Sequence, residues 1–287
     1  MMDSKLLKAG ITLFFLISLT MVAANEAQAQ LEEPPVVKAP NPQTPLSEGV
    51  SNEYGLDLIV NNFGFGLGVH YGRYIGPFTA ITFRSGITGI RDASEQTFQS
   101  FFTGNKIIPN KYKRAFGFPF LFGIKHRIFP EKIADNFRLF VNVGAGPAMA
   151  FTYPYVQDGN NNGFRDFVAI QAPGGGTFLS PAERVNDFFT GWKKGETHWG
   201  LNGEIKIGAD LGSTFAGQTT IEFGYFFYYF KQGLQIMEPY KPYGYRAPQN
   251  GFPGTPIEKK DGERNPFNPS QKYFGTPQIK ITIGGMW

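Results

Sequence analysis

Phe63-Gly64-Phe65-Gly66-Leu67-Gly68-Val69-His70-Tyr71-Gly72-Arg73 is the stretch that decides the fold. Large apolar side chains take the odd positions from 63 to 71, and glycine or histidine the even ones. Successive side chains of a strand point to opposite faces, so this segment has one apolar face and one small, polar face. Gly64-Phe65-Gly66-Leu67-Gly68 also looks superficially like a dinucleotide-binding glycine loop, but it lies inside a strand and opens no helix. Gly174-Gly175-Gly176-Thr177 has no following lysine and no helix, so it reads as loop rather than phosphate cradle.

The same period of two recurs along the chain. Apolar stripes run through 54–60 (Tyr54, Leu56, Leu58, Val60), 78–88 (Thr79, Ile81, Phe83, Ile87) and 114–125 (Phe116, Phe118, Phe120, Phe122, Ile124). They continue through 137–151 (Phe137, Leu139, Val141, Val143, Ala145, Met149, Phe151) and 197–211 (Trp199, Leu201, Ile205, Ile207, Ala209, Leu211). The last two are 219–229 (Ile221, Phe223, Tyr225, Phe227, Tyr229) and 277–287 (Ile279, Ile281, Ile283, Trp287). With 63–73 this makes about eight strands. If they run alternately up and down, the connections at 75–77, 129–136 and 212–218 share one side and are short. Those at 89–113, 152–196 and 230–276 share the other side and are long, with only the Asn61-Asn62 turn short there. Short periplasmic turns against long extracellular loops predict an all-β fold: a closed antiparallel transmembrane barrel over 53–287.

Composition agrees. The chain has thirty Phe and no Cys, and its net charge is +4. Lysines and arginines are scattered rather than clustered, which argues against nucleic acid as a partner. Beyond the N-terminus no apolar run approaches a membrane-spanning helix, so the apolar residues must meet lipid from alternate positions. Residues 1–29 read as a cleaved signal peptide: Lys5 and Lys8, an apolar stretch from Ile11 to Ala24, then Ala27-Gln28-Ala29. This predicts export to the bacterial outer membrane. Residues 30–52 form a leader with Pro34, Pro35, Pro40, Pro42 and Pro45, expected to be a polyproline-like periplasmic tether.

These segments resemble the small outer-membrane β-barrel family, the OmpA-like and OmpX-like group, over residues 53–287. The most specific piece is Gln278-Ile279-Lys280-Ile281-Thr282-Ile283-Gly284-Gly285-Met286-Trp287. Family members end in an aromatic residue after alternating apolar positions, which the barrel-assembly machinery reads. The resemblance therefore implies an assembly signal at Ile279, Ile281, Ile283 and Trp287, although Phe is commoner than Trp at the end and a larger residue is usual in place of Gly285. It implies outer-membrane lipids and the assembly machinery as partners. It does not carry an activity, because this fold hosts adhesins, small channels, anchors and a few enzymes.

Opposite the apolar stripes, strand phase places Asp57, His70, Arg84, Lys125, Arg138, Glu204, Lys206, Asp210, Glu222 and Lys280 in the lumen. An eight-stranded barrel is just wide enough for side chains to fill. Both signs in near-equal number therefore predict ion pairing that plugs the bore, and glycines 64, 66 and 68 leave room for longer side chains. This reading makes the protein a structural or interaction scaffold with an extracellular or envelope protein as partner; the alternative is a small passive channel for ions or small solutes. Neither a catalytic set nor a required cofactor is expected. His70, His126 and His198 are far apart in sequence, with His70 and His198 expected inward near the outer end and His126 near the periplasmic rim.

Two outer loops have character of their own. Asp158-Gly159-Asn160-Asn161-Asn162-Gly163-Phe164-Arg165-Asp166 places oxygen side chains at relative positions 1, 3, 5 and 9 with glycine at 6. That spacing resembles weak extracellular calcium loops of the thrombospondin type-3 kind, with Asp158, Asn160, Asn162, the Phe164 carbonyl and Asp166 as ligands. Position 12 is Ala169 rather than Glu, and a merely polar turn is the other reading. Loop 230–276 carries seven prolines, with Tyr240, Tyr243 and Tyr245 between them, and a charged stretch from Glu258 to Arg264. It is expected to be exposed and to bury no core of its own.

Overall fold

The computed structural model describes residues 42–99, 106–133, 135–171, 175–212, 214–249 and 252–287. The expected signal peptide and the leader up to residue 41 lie outside the described residues. Eight long strands follow in order: β1 (Asn52–Asn61), β2 (Gly64–Tyr74), β3 (Thr79–Ile90), β4 (Lys113–Arg127), β5 (Phe137–Pro154), β6 (Glu196–Leu211), β7 (Gln218–Leu234) and β8 (Gln271–Met286). Each pairs antiparallel with its sequence neighbours, and β1 closes on β8 from Glu53 opposite Met286 to Asn61 opposite Gln278. Closure leaves no free strand edge, which is what lets a sheet cross lipid.

The predicted phase holds around the wall. Leu56, Phe65, Leu67, Phe122, Ile205, Phe223 and Ile283 face outward and are exposed, while every charged residue assigned to the lumen is buried. An apolar outer wall around a charged interior makes this a transmembrane β-barrel. Trp287 packs its ring 5.0 Å from Tyr54 and 6.2 Å from Tyr71, forming part of an aromatic girdle at the end that carries the short turns. Gly285 is small because a Cβ there would run into the Ala216 carbonyl of the turn between β6 and β7.

Four expectations need correction. The first outer turn falls on Asn62-Phe63 rather than Asn61-Asn62, and Phe63 leaves the outer stripe to pack on the internal apolar cluster. The strands are longer toward the outer end: β7 continues to Leu234 and β8 begins at Gln271, so both ends of the supposed 230–276 loop are barrel wall. The loops also have structure and a core. A hairpin pairs Phe167–Gln171 with Thr177–Pro181, and short strands at Tyr240–Lys241, Lys259–Lys260 and Glu263–Pro266 form a small sheet. Val156, Phe164, Ala169, Ile236 and Met237 are buried there, because the loops lean on one another instead of standing apart in water. Bridges Lys111–Met237 and Ala169–Gly254 and the Tyr155 N–H to Tyr112 carbonyl bond (2.8 Å) tie all three long loops together.

The fourth correction concerns the leader. From residue 42 onward it is not a free tether. The Gln43 N–H donates to Asp135 Oδ2 (3.1 Å), Arg127 Nη1 donates to the Gln43 carbonyl (3.0 Å), and Pro45 is buried at the mouth between the short turns.

Candidate functional site

Inside the barrel the charges assemble as strand phase requires. Arg84 on β3 reaches across the bore with both terminal nitrogens, Nη1 to Glu204 Oε1 (2.8 Å) and Nη2 to Glu222 Oε1 (2.9 Å). Lys206 completes Glu204 (2.5 Å), and Lys280 joins Glu222 to Asp57, the latter at 3.6 Å. Asp57 also accepts from the Thr282 hydroxyl (2.6 Å) and lies 3.3 Å from His70 Nδ1. Lower down, Lys125 bridges Glu53 (3.0 Å) and Asp210 (2.9 Å), with Thr220 donating to Asp210 (2.6 Å). A buried charge is tolerable only when paired and hydrogen-bonded. Five carboxylates here meet four cations and one histidine.

Nine of the ten predicted lumen residues enter this network. Arg138 does not: its guanidinium donates to the Asp135 (2.6 Å) and Gly212 (2.9 Å) carbonyls and sits 4.8 Å from the Phe215 ring centre, knitting two of the short turns together. Glu53 belongs to the network but not to the predicted set. It is wholly buried, and its inward direction follows from the phase of Tyr54, Leu56 and Leu58, but the alternating run starts one residue too late to include it. His70 lies beside Glu53 and Asp57, toward the half that carries the short turns rather than the end that carries the long loops. His198 is near the end that carries the long loops, bonded to Thr152 (3.0 Å), and His126 is at the rim that carries the short turns, bonded to Thr79 (2.9 Å).

Above the charges the bore changes character. Phe226, Tyr228 and Phe230 point inward from β7, with successive ring centres 4.7 and 5.9 Å apart, and Tyr228 shares a hydrogen bond with Thr88 (2.9 Å). Leu234, Ile236, Ile90 and Phe274 pack on them. Gly117 makes this possible, since a Cβ there would lie 2.5 Å from the Tyr228 hydroxyl. Below the charges Pro45 and Phe215 fill the mouth at the short-turn end. Two voids bordering the bore, one beside Arg84 and Lys280 and one beside Lys125 and Phe215, are about 20 Å³ each, room for roughly a single water.

The 158–166 loop is a compact turn. Asp158 accepts from the Asn162 (3.1 Å) and Gly163 (3.0 Å) N–H groups and from the Tyr112 hydroxyl (2.9 Å). Asn160 and Asn162 direct their amide nitrogens at Asp166 (2.9 and 2.7 Å). Asn161 and Gly163 adopt positive φ, 56° and 88°, and the Phe164 ring is buried as the loop's anchor. The turn sits among carboxylates. Burial and the nearby charges of Glu258 and Asp158 raise the Asp166 pKa, and burial with Asp166 and Asp158 raises that of Glu183. Burial, reinforced by Glu183 and Asp158, pushes Glu238 up to about 7. Among the described residues, however, no three His, Cys, Asp or Glu side chains converge tightly enough to hold a metal by themselves.

No family model matches this chain, and no curated protein matches it. Among solved structures, it is similar to Ail, the attachment invasion locus protein of Yersinia pestis, in complex with the heparin analogue sucrose octasulfate: 7% identity, 83% of this chain and 96% of that chain covered, TM-score 0.31. It is also similar to Neisserial surface protein A, at 9% identity, with the same coverage of 83% and 96%, and TM-score 0.30.

Proposed function

We propose that this protein is a closed outer-membrane scaffold whose working surface is the ordered cap of three outer loops. The observation that carries the reading is a bore filled at three successive levels: Pro45 and Phe215 at the periplasmic mouth, the ion pairs around Arg84 and Lys125 in the middle, and the Phe226, Tyr228 and Phe230 stack above. A passive channel needs a continuous polar path, and none of these layers offers one. The cap, by contrast, has its own buried core and inter-loop bonds, which suit a surface held in one shape for an extracellular or envelope partner. Export through a cleaved signal peptide and assembly through the terminal strand, with Ile279, Ile281, Ile283 and Trp287 read by the assembly machinery, belong to the same proposal.

Purified barrel refolded into planar bilayers is expected to be electrically silent. Glu222→Gln should stay silent too, because the aromatic layer and the periplasmic plug remain. Steady, ion-selective conductance of the wild type would replace this reading with the channel.

Calcium at the 158–166 loop is a subordinate proposal. Its support is the crowding of Asp158, Asp166, Glu183, Glu238 and Glu258, whose mutual repulsion a cation would relieve. Neutral amides and the Phe164 carbonyl would have to complete the shell, so affinity is expected in the weak range, ~10⁻⁴–10⁻³ M. Calorimetry at millimolar calcium should give heat in the wild type and none in Asp158→Ala. Equal heats, or none in either, reduce the loop to a polar turn.

A further inference from the structure

At the outer end of β4 and β5, a turn from the second long loop folds back over the outside of the barrel wall. Asp187 organises it: the carboxylate accepts from the Phe189 and Thr190 N–H groups (2.8 and 2.7 Å) and from the Thr190 hydroxyl (2.7 Å). Arg114 on β4 pins it, donating to the Asp187 (2.7 Å) and Asn186 (2.9 Å) carbonyls, and Trp192 closes it by donating to the Phe188 carbonyl (2.9 Å). So tightly built a turn would be expected to hide its apolar side chains. Instead Phe188, Phe189 and Trp192 remain 49%, 71% and 44% exposed.

These rings are not isolated. The Phe188 ring lies 5.7 Å from Phe116, and Trp192 lies 6.4 Å from Phe151, both outward-facing wall residues. Together the turn and the wall bury Tyr153 completely. The exposed patch is therefore continuous with the lipid-facing wall and extends it outward. Lys193 and Lys194 follow Trp192 directly in the same short helical turn, and both are exposed. Aromatic rings beside lysines are the arrangement that favours a membrane–water interface, where the ring takes the boundary and the ammonium meets the headgroup.

We infer that the 187–195 turn is an outer-leaflet anchor: Phe188, Phe189 and Trp192 enter the lipid boundary, and Lys193 and Lys194 bind anionic, phosphate-bearing lipid headgroups. The inference rests on the transmembrane wall and is independent of whether the bore conducts. Its consequence is that the second loop is held at the bilayer, which fixes one edge of the cap relative to the membrane surface.

The chain has three tryptophans, so each can be made the sole reporter. In a Trp199→Phe/Trp287→Phe background, Trp192 in refolded proteoliposomes is expected to be quenched by phosphatidylcholine brominated near the headgroup and shielded from aqueous acrylamide. Lys193→Glu with Lys194→Glu should lose that quenching in vesicles containing phosphatidylglycerol, and keep it in phosphatidylcholine alone. Trp199, on the outer wall of β6, is the control in a Trp192→Phe/Trp287→Phe background. If Trp199 is quenched by bromolipid while Trp192 answers only to acrylamide, the turn stands in water and the inference is overturned. Shielding of Trp192 that arises only after a cell extract is added would mean that a protein covers the patch, which overturns it equally. Quenching indifferent to the charge reversals would remove the headgroup from the proposal.

Discussion

Glu222→Gln is expected to destabilise the barrel by about 3–5 kcal/mol, because it breaks a buried pair and leaves cations uncompensated. Glu222 is wholly buried and serves two of them at once: Arg84 Nη2 at 2.9 Å and Lys280 from the next strand. Arg84 keeps Glu204, but Lys280 is left with Asp57 at 3.6 Å. Neither cation can reach water past the aromatic layer above or the plug below. The double replacement Glu222→Leu/Lys280→Met should recover most of the loss, since a pair exchanged for apolar groups of similar volume removes its own desolvation cost. Urea titration of barrel folded in vesicles measures both. A single-variant loss under about 1 kcal/mol, the worth of a surface pair, would mean water reaches the network and the bore is not closed.

How much of this is legible in the sequence follows from what a period of two can carry. It fixes which side of the wall a residue faces, so the inward placement of all ten assigned lumen residues, and the outer stripe, follow from phase alone. It does not fix where a strand stops. Glu53 escapes at one end of β1 for that reason, and β7 and β8 come out too short at the other end. Residues 226–230 show a second limit. In the run Tyr225-Phe226-Phe227-Tyr228-Tyr229-Phe230 both faces are aromatic, so alternation vanishes where the barrel interior turns from charged to apolar. Extending the phase of Thr220 and Glu222 upward is the signal that finds the inward set Phe226, Tyr228 and Phe230.

The loops are illegible for a different reason. Their order comes from contacts between segments far apart in sequence, such as Ala169 with Gly254 and Arg165 N–H with Glu238 Oε1 (2.9 Å). Proline content argues against long ladders, and the loop strands are indeed short; it says nothing of packing between loops. The 158–166 spacing is likewise informative about local geometry, because Asx-type bonds and left-handed Asn161 and Gly163 do close a tight turn. Spacing cannot reveal that Tyr112 and Glu183 engage the same turn from other segments.

Ile281→Arg is expected to cost about 2–4 kcal/mol, the penalty for a cation on the lipid face near the bilayer midplane. Ile281 lies within the terminal strand, opposite Leu58 on β1 and Ile221 on β7, so its immediate outward neighbours are apolar on both sides. An arginine there can snorkel toward the nearer girdle of Tyr54, Tyr71 and Trp287, but the barrel cannot rotate to help it, because closure fixes every strand. The adjacent position is the control. Thr282 faces inward and donates to Asp57 at 2.6 Å, so Thr282→Val should cost about 1.5–3 kcal/mol, the worth of a hydrogen bond to a charged group, wherever the membrane lies. The two responses separate when the barrel is moved from lipid to a detergent micelle. The arginine penalty should shrink as its environment thins and hydrates, whereas the valine penalty, arising inside the wall, should persist. If both penalties fell together, or if neither depended on lipid, the side chains at 281 and 282 would not be facing opposite environments, and the transmembrane phase of the terminal strand would have to be abandoned.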